Sequence, residues 1–199
     1  MKKIGITGGI GAGKSTVSKV FKLLGVPIYN SDQISKKILL KNHTVQKEIV
    51  SVLGDDILIK NKSIDVFSID TKKVSKIIFN DKEKLYAVNK ILHNRVKLDF
   101  NNWVIKQKGD YIVKESAIIF ESKIESTFDR IIFVKSTKEE RIKRIIKRDK
   151  KDTKDILSIM ESQYSNAFLS KKADFIINNE TNKLLIPQII ELHEKIKYS

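Results

Sequence analysis

Apolar residues along this chain fall into two rhythms that alternate from the N-terminus onward. Ile4 and Ile6 make a short apolar strand, and Val17, Val20, Phe21 and Leu24 then recur at the three-and-four spacing of a helix until Gly25 and Pro27 stop it. Val26 to Tyr29 reads as a second short strand, which places Asp32 at the top of the sheet, followed by Ile34, Ile38 and Leu39. Residues 35–108 read as mainly helical, with the clearest stripe at Leu85, Val88, Leu92, Val96, Phe100 and Trp103. Strand character returns at Tyr111 to Val113, Ile131 to Val134 and Phe175 to Ile177, each followed by a polar turn and a helical pattern. Thr137 with Glu140 predicts a capping box for a helix carrying Ile142, Ile145 and Ile146, and Asp152 or Thr153 a cap for the next, carrying Ile156, Ile159 and Met160. The last helix uses Leu185, Ile189, Leu192 and Ile196 and is expected to pack on the sheet. The alternation predicts an α/β fold, a parallel sheet flanked by helices, with residues 35–108 inserted between strands.

Composition narrows the chemistry. The chain has 199 residues, enough for one globular unit with subdomains, and no Pro/Gly/Ser-rich linker divides it. It has no cysteine, which excludes disulfides, thiolate zinc sites and cysteine nucleophiles. The N-terminus enters a strand directly and no apolar run reaches membrane-spanning length, so the expectation is a soluble, cytoplasmic protein with no membrane partner. The net charge of +15 suggests nucleic acid at first, but the lysines are scattered and no nucleic-acid motif accompanies them. A basic surface also favours anionic nucleotides.

The decisive motif lies between the first strand and the first helix. Residues 4–16 read Ile-Gly-Ile-Thr-Gly-Gly-Ile-Gly-Ala-Gly-Lys-Ser-Thr, a complete Gly-x-x-x-x-Gly-Lys-Ser phosphate loop. Its glycines let successive N–H groups turn inward onto phosphate oxygens at a helix N-terminus, so Gly11, Ala12, Gly13, Lys14, Ser15 and Thr16 are the candidate nucleotide contacts. Lys14 can reach the β and γ phosphates, and the Ser15 hydroxyl can ligate Mg²⁺. The loop does not say what receives the phosphoryl group. A GTPase needs an Asn-Lys-x-Asp signature, and Asn89-Lys90 leads to Leu92 while Asn182-Lys183 leads to Leu185. A motor needs an apolar strand ending in Asp-Glu, and Ile131 to Val134 ends in Lys135.

A small-molecule kinase fits better. Asp32 can take a proton from an attacking hydroxyl and help order Mg²⁺, although a helix N-cap before Gln33 would use the same residue type. Arg141, Arg144 and Arg148 share one helix side and could close over the phosphates, with at least one facing water. His93 flanks the long stripe beside Leu92, where a structural hydrogen bond competes with a substrate contact, and His43 and His193 have no metal spacing. Another small-molecule acceptor, such as a nucleoside monophosphate, or a basic phosphate-loop protein acting on nucleic acid, are the alternatives.

At this point the residues resemble one family, dephospho-coenzyme A kinase. The opening loop sequence, Leu24-Gly25-Val26-Pro27 and the Asp32 segment are similar to its N-terminal signature. Phe79-Asn80-Asp81 before Leu92-His93, then Ala117-Ile118-Ile119-Phe120-Glu121, Arg148-Asp149 and Ala173-Asp174 to Asn178-Asn179 resemble further family segments across the chain. Three positions depart from the pattern. The usual Asp-Ala-Asp is Asn30-Ser31-Asp32, Leu-His-Pro is Leu92-His93-Asn94, and the Pro before Leu-Leu-Phe-Glu is Ala117. The resemblance implies a single P-loop NTPase-type kinase domain with its core at about 1–34, 109–136 and 166–199. It also implies a helical coenzyme A-binding insertion at about 35–108 and a mobile helical lid at about 137–165. The implied activity is ATP-dependent phosphorylation of the ribose 3′-hydroxyl of dephospho-coenzyme A, the last step of coenzyme A synthesis. On that basis Asp32, Lys14 and Arg144 are expected to be catalytic, Arg148 and Asn178 to touch the nucleotide, Asp32 and His93 to touch the acceptor, and Ser15, with Asp32 as a possible second ligand, to hold Mg²⁺.

Overall fold

The computed structural model describes residues 1–59, 68–149 and 152–198. Residues 60–67 of the expected insertion and 150–151 of the expected lid lie outside them. The chain packs as two units, Met1–Asn30 with Gln107–Ser199, and Ser31–Lys106.

The first unit is built on five parallel strands, β1 (Lys2–Thr7), β2 (Ile28–Asn30), β3 (Tyr111–Glu115), β4 (Arg130–Lys135) and β5 (Phe175–Asn178), in the order β2-β3-β1-β4-β5. Strand parity sorts its residues onto two faces. Ile4, Ile6, Tyr111, Val113, Ile132 and Val134 bury one face against α1 (Lys14–Leu23) and α9 (Leu185–Tyr198), through Val17, Phe21, Ile189, Leu192 and Ile196. Ile131 and Phe133 belong to the cluster on the other face, with Ile119, Phe120 and Leu169, the last from α8 (Asn166–Lys172). Gly5 is needed on that second face, because a Cβ there would lie 2.8 Å from Ile119 Cδ1 and 3.2 Å from the Phe128 ring. The segment after β3 departs from the expected strand-turn-helix pattern: it runs through turns to a 3₁₀ turn at Glu125–Thr127. Apolar Ile119, Phe120 and Phe128 fill the sheet face without needing a helix.

Helix α1 ends as Gly25 and Pro27 predicted. Gly25 takes φ +85°, its N–H donates to Lys22 O at 3.0 Å, and Val26 N–H donates to Phe21 O at 3.1 Å, so two last-turn carbonyls are satisfied. Helix α6 (Lys138–Asp149) and α7 (Thr153–Glu161) hold the expected apolar positions, but their caps differ from expectation. Thr137 Oγ1 accepts from Glu140 N–H at 3.3 Å, yet the Glu140 carboxylate turns away to Thr181, and Asp152 stands at the N-cap of α7 with no side-chain hydrogen bond.

The second unit is helical: α2 (Ser31–Lys41), α3 (His43–Leu53), α4 (Thr71–Asn80) and α5 (Lys82–Val104). Asn42, Asp70 and Asp81 cap the last three through main-chain N–H groups of their first turns. Its core gathers Val45, Ile49, Leu53, Ile57, Ile69, Val74 and Val88. The long stripe is buried at Val88, Val96 and Phe100 and half-buried at Leu92, whereas Leu85 is 37% exposed, one turn from the capped end.

Lys114 is an exception within the sheet. It lies one residue before the end of β3, is 6% exposed, and its ammonium sits 5.7 Å from the centre of the Tyr29 ring. Burial pushes it down to about 8. The unfolded chain therefore keeps a proton here that the folded chain releases between about pH 8 and its ordinary value of 10.5, so stability from this group rises across that interval. Comparing melting of wild type and Lys114→Met at pH 7 and pH 10 should show any advantage of the variant shrinking at the higher pH by several degrees. A constant difference would place the titration elsewhere.

Candidate active site

The phosphate loop leaves the C-terminal end of β1, the central strand between β3 and β4, and the carboxyl ends of the strands are where an open parallel sheet places its ligand crevice. Gly8, Gly11 and Gly13 take φ of +151°, +79° and +94°, so the loop uses backbone shapes that side chains resist. Gly13 is the N-cap of α1 and has no side chain to cap the first turn, where the Thr16 N–H donates to Gly13 O at 3.0 Å, so no capping side chain competes with an anion at the helix start. Lys14 is 8% exposed, and its ammonium donates to Gly8 O at 2.8 Å and Gly9 O at 3.3 Å.

Ser15 Oγ donates to Glu115 Oε1 at 3.1 Å. Glu115 is the last residue of β3, opposite Ile6 in the register, and follows Tyr111 and Val113 at intervals of two onto the α1 face. It is 3% exposed. Apolar patterning ends this strand at Val113, and a terminal acid is expected only on the strand at 131–134. The signal was present as Lys114-Glu115, but which strand lies beside β1 is a property of the sheet order.

From above, the loop is gripped by two arginines and an asparagine. Arg141 Nε donates to Ile10 O at 2.8 Å. Arg144 spreads over Asn179 O at 2.8 Å, Ser136 Oγ at 3.0 Å and Glu140 Oε2 at 3.3 Å, with Gly11 O and Ala12 O at 3.5 Å. Glu140 is itself held by the Thr181 hydroxyl at 2.6 Å and the Thr181 N–H at 2.7 Å, bonds that keep its carboxyl below the usual range. Burial lowers the Arg141 pKa, and the guanidinium stays charged beside the loop.

Asn178 and Arg148, the two other expected nucleotide contacts, have different partners. The asparagine whose side chain reaches the loop is Asn179, with Nδ2 donating to Ala12 O at 2.8 Å, while the main chain of Asn178 is tied to Gln188 of α9. The two alternate along the chain as β5 ends, and only Asn179 turns to Ala12. Arg148 is 62% exposed at its side chain and pairs with Asp149 at 2.7 Å, a bond that raises its pKa, so it is the outward-facing arginine of the three.

The dephospho-CoA kinase family profile matches residues 2–184. This chain belongs to that family. A dephospho-CoA kinase of Bacteroides fragilis is 36% identical over 201 residues, 98% of this chain and 95% of the relative, and one of Fusobacterium nucleatum is 41% identical over 179 residues, 90% of each. The solved dephospho-CoA kinase of Campylobacter jejuni superposes with a TM-score of 0.64 at 25% identity, covering 100% of this chain and 98% of that one. The activity is accordingly ATP-dependent phosphorylation of dephospho-CoA, on a P-loop kinase fold. No helix among the described residues is long and apolar enough to cross a membrane.

The other candidates of the dephospho-CoA kinase reading lie in the helical unit. Asp32 is an exposed residue of the first turn of α2, which starts at Ser31, so it is inside the helix and is not its N-cap. His93 is exposed on α5. The loop glycines separate backbone strain from crowding. A Cβ on Gly13 would run into Asn179 Nδ2 as well as meeting a positive φ, whereas Gly25 has a positive φ and nothing within 4 Å. Gly25→Ala is expected to cost about 1 kcal/mol, roughly 2–4 °C of melting temperature, with full turnover. Gly13→Ala should lose ATP binding by more than about 10-fold, measured by calorimetry, because it displaces Asn179 from Ala12 O.

Proposed function

We propose that the acceptor group is the ribose 3′-hydroxyl of dephospho-CoA and that it attacks the γ-phosphoryl of ATP seated on residues 8–16. The observation that carries the residue roles is the convergence of Lys14, Ser15 and Glu115 at the C-terminal ends of β1 and β3. Phosphoryl transfer needs position and positive charge more than covalent help, and each of these residues supplies one part. The loop N–H groups and the Lys14 ammonium hold the β and γ phosphates and stabilise the charge that shifts towards the leaving oxygen.

The Ser15 hydroxyl and Glu115 carboxylate are hard oxygen donors at hydrogen-bond distance, a donor set that fits Mg²⁺, which takes one or two protein oxygens and completes its shell with phosphates and water. Ser15 and Glu115 would hold the ion, which supplies further positive charge to the phosphate oxygens when bound. Asp32 is assigned to orient the acceptor hydroxyl and take its proton, a role supported by its place two residues beyond the end of β2 and by the family resemblance of that segment. Arg144 is assigned to the phosphates, as the arginine already in reach of Gly11 O and Ala12 O. The segment at 137–165 is assigned as a lid in which α7 and the outer end of α6 move and Arg148 exchanges Asp149 for nucleotide.

The kinetic test is ADP release with dephospho-CoA, AMP, another small alcohol acceptor or DNA supplied singly. Turnover is expected with dephospho-CoA alone. Lys14→Ala should nearly abolish it in a folded protein, and Glu115→Gln, which keeps the bond to Ser15 but loses charge, should raise the Mg²⁺ concentration for half-maximal rate by about 10-fold. Asp32→Asn should lower kcat by roughly 100-fold with ATP affinity unchanged. Unimpaired turnover of Asp32→Asn would move the base to another residue.

A further inference from the structure

Residue Ile10 sits at the middle of the phosphate loop with both of its main-chain polar groups held by side chains from far along the chain. Its N–H donates to Gln163 Oε1 at 2.9 Å, and its carbonyl accepts from Arg141 Nε at 2.8 Å. Arg141 Nη2 also donates to Gln163 Oε1 at 3.4 Å, which closes the three groups into a ring. Gln163 itself stands on the turn that follows α7. That turn is braced on its far side, where Tyr164 N–H donates to Glu121 Oε1 at 2.9 Å. We propose that Gln163 is a positioning residue for ATP, setting the orientation of the loop peptides that face the phosphates.

Peptide planarity transmits these two bonds to the neighbouring groups of the loop. In a trans peptide the C=O and the N–H point in opposite directions, so fixing one fixes the other. The bond from Ile10 N–H to Gln163 therefore turns Gly9 C=O the other way, and there it accepts from Ala12 N–H at 3.1 Å and from Lys14 Nζ at 3.3 Å. The bond from Arg141 to Ile10 C=O likewise turns Gly11 N–H away from Arg141, as one of the loop amides available to an anion. Both peptides are flanked by glycines, whose dihedrals are the least restrained in the chain, and Gly11 already sits at φ +79°. Free glycine peptides would sample several orientations, and ATP would have to select one. Gln163 lowers that cost because its single oxygen holds the Ile10 N–H and the Arg141 guanidinium together.

The proposal rests on ATP occupying this loop, and the test keeps the two apart. Gln163→Leu keeps the volume and loses the acceptor, while Gln163→Glu keeps an oxygen for both donors. ATP affinity by calorimetry, kcat and KM for each substrate, and hydrogen exchange at the Ile10 amide are measured for all three proteins. Gln163→Leu is expected to raise the Kd and KM for ATP by about 10-fold, to leave the KM for dephospho-CoA unchanged and to speed exchange at Ile10, with Gln163→Glu restoring each to within about 3-fold of wild type. A Gln163→Leu protein that melts earlier but binds ATP as wild type does would reduce Gln163 to a structural residue and overturn the proposal. So would a Gln163→Glu protein as impaired as Gln163→Leu. Wild-type protein that fails to bind ATP would overturn the nucleotide reading and this proposal with it.

Discussion

A loop that must wrap a triphosphate with its own backbone cannot also carry the side chains that would hold it in shape. Between Gly8 and Gly13 the chain has four glycines, one alanine and one isoleucine, so the loop's geometry has to come from elsewhere in the protein. It comes from Lys14 beneath, from Arg141 and Arg144 of α6, from Asn179 after β5 and from Gln163 after α7, each bonded to a loop main-chain group. These residues are drawn from points separated by up to 167 positions in sequence. Much of the first unit's construction follows from the need to bring them there.

The parallel sheet does the bringing. Because β1 lies between β3 and β4, every connection that follows β1, β3 and β4 emerges on one edge, so the phosphate loop, Glu115 and the start of the arginine helix share a side. Parity along the strands then separates apolar support from chemistry. The residues preceding Glu115 by two and four are buried core, and the carboxylate is the polar continuation of that row. The same parity sends Lys114 to the opposite face, where its charge is buried and its proton affinity falls.

The arginines show how one helix serves two surfaces. Arg141 and Arg144 are three apart and turn inward to the loop, whereas Arg148 faces water and Asp149. Glu140 is part of the same device. A carboxylate that could have closed a local capping box is instead held by Thr181, Ser136 and Arg144, so it ties α6 to the segment leading into α9. Local capping lost to a tertiary network, because the network satisfies a charged donor as well as a main-chain one.

Local signals in the chain were enough for most element types (the segment after β3, expected as a helix, is the exception), for the phosphate loop and its following helix, the glycine stop at Gly25 and the membership suggested by motifs spread from residue 4 to residue 179, since each depends on neighbours within a few positions. Strand ends were less legible: β3 runs on through Lys114-Glu115 because pairing with β1 and β2 outweighs the polarity of its last two residues. The identity of the residues around the loop was decided only by tertiary structure. Glu115 depends on strand order, Asn179 on how β5 ends, and Gln163 on a turn that Glu121 braces from another segment. A hydrogen bond to a main-chain group leaves no pattern in sequence, because any residue at Ile10 offers the same N–H and C=O, and so the contacts that shape this loop are visible only once the chain has folded.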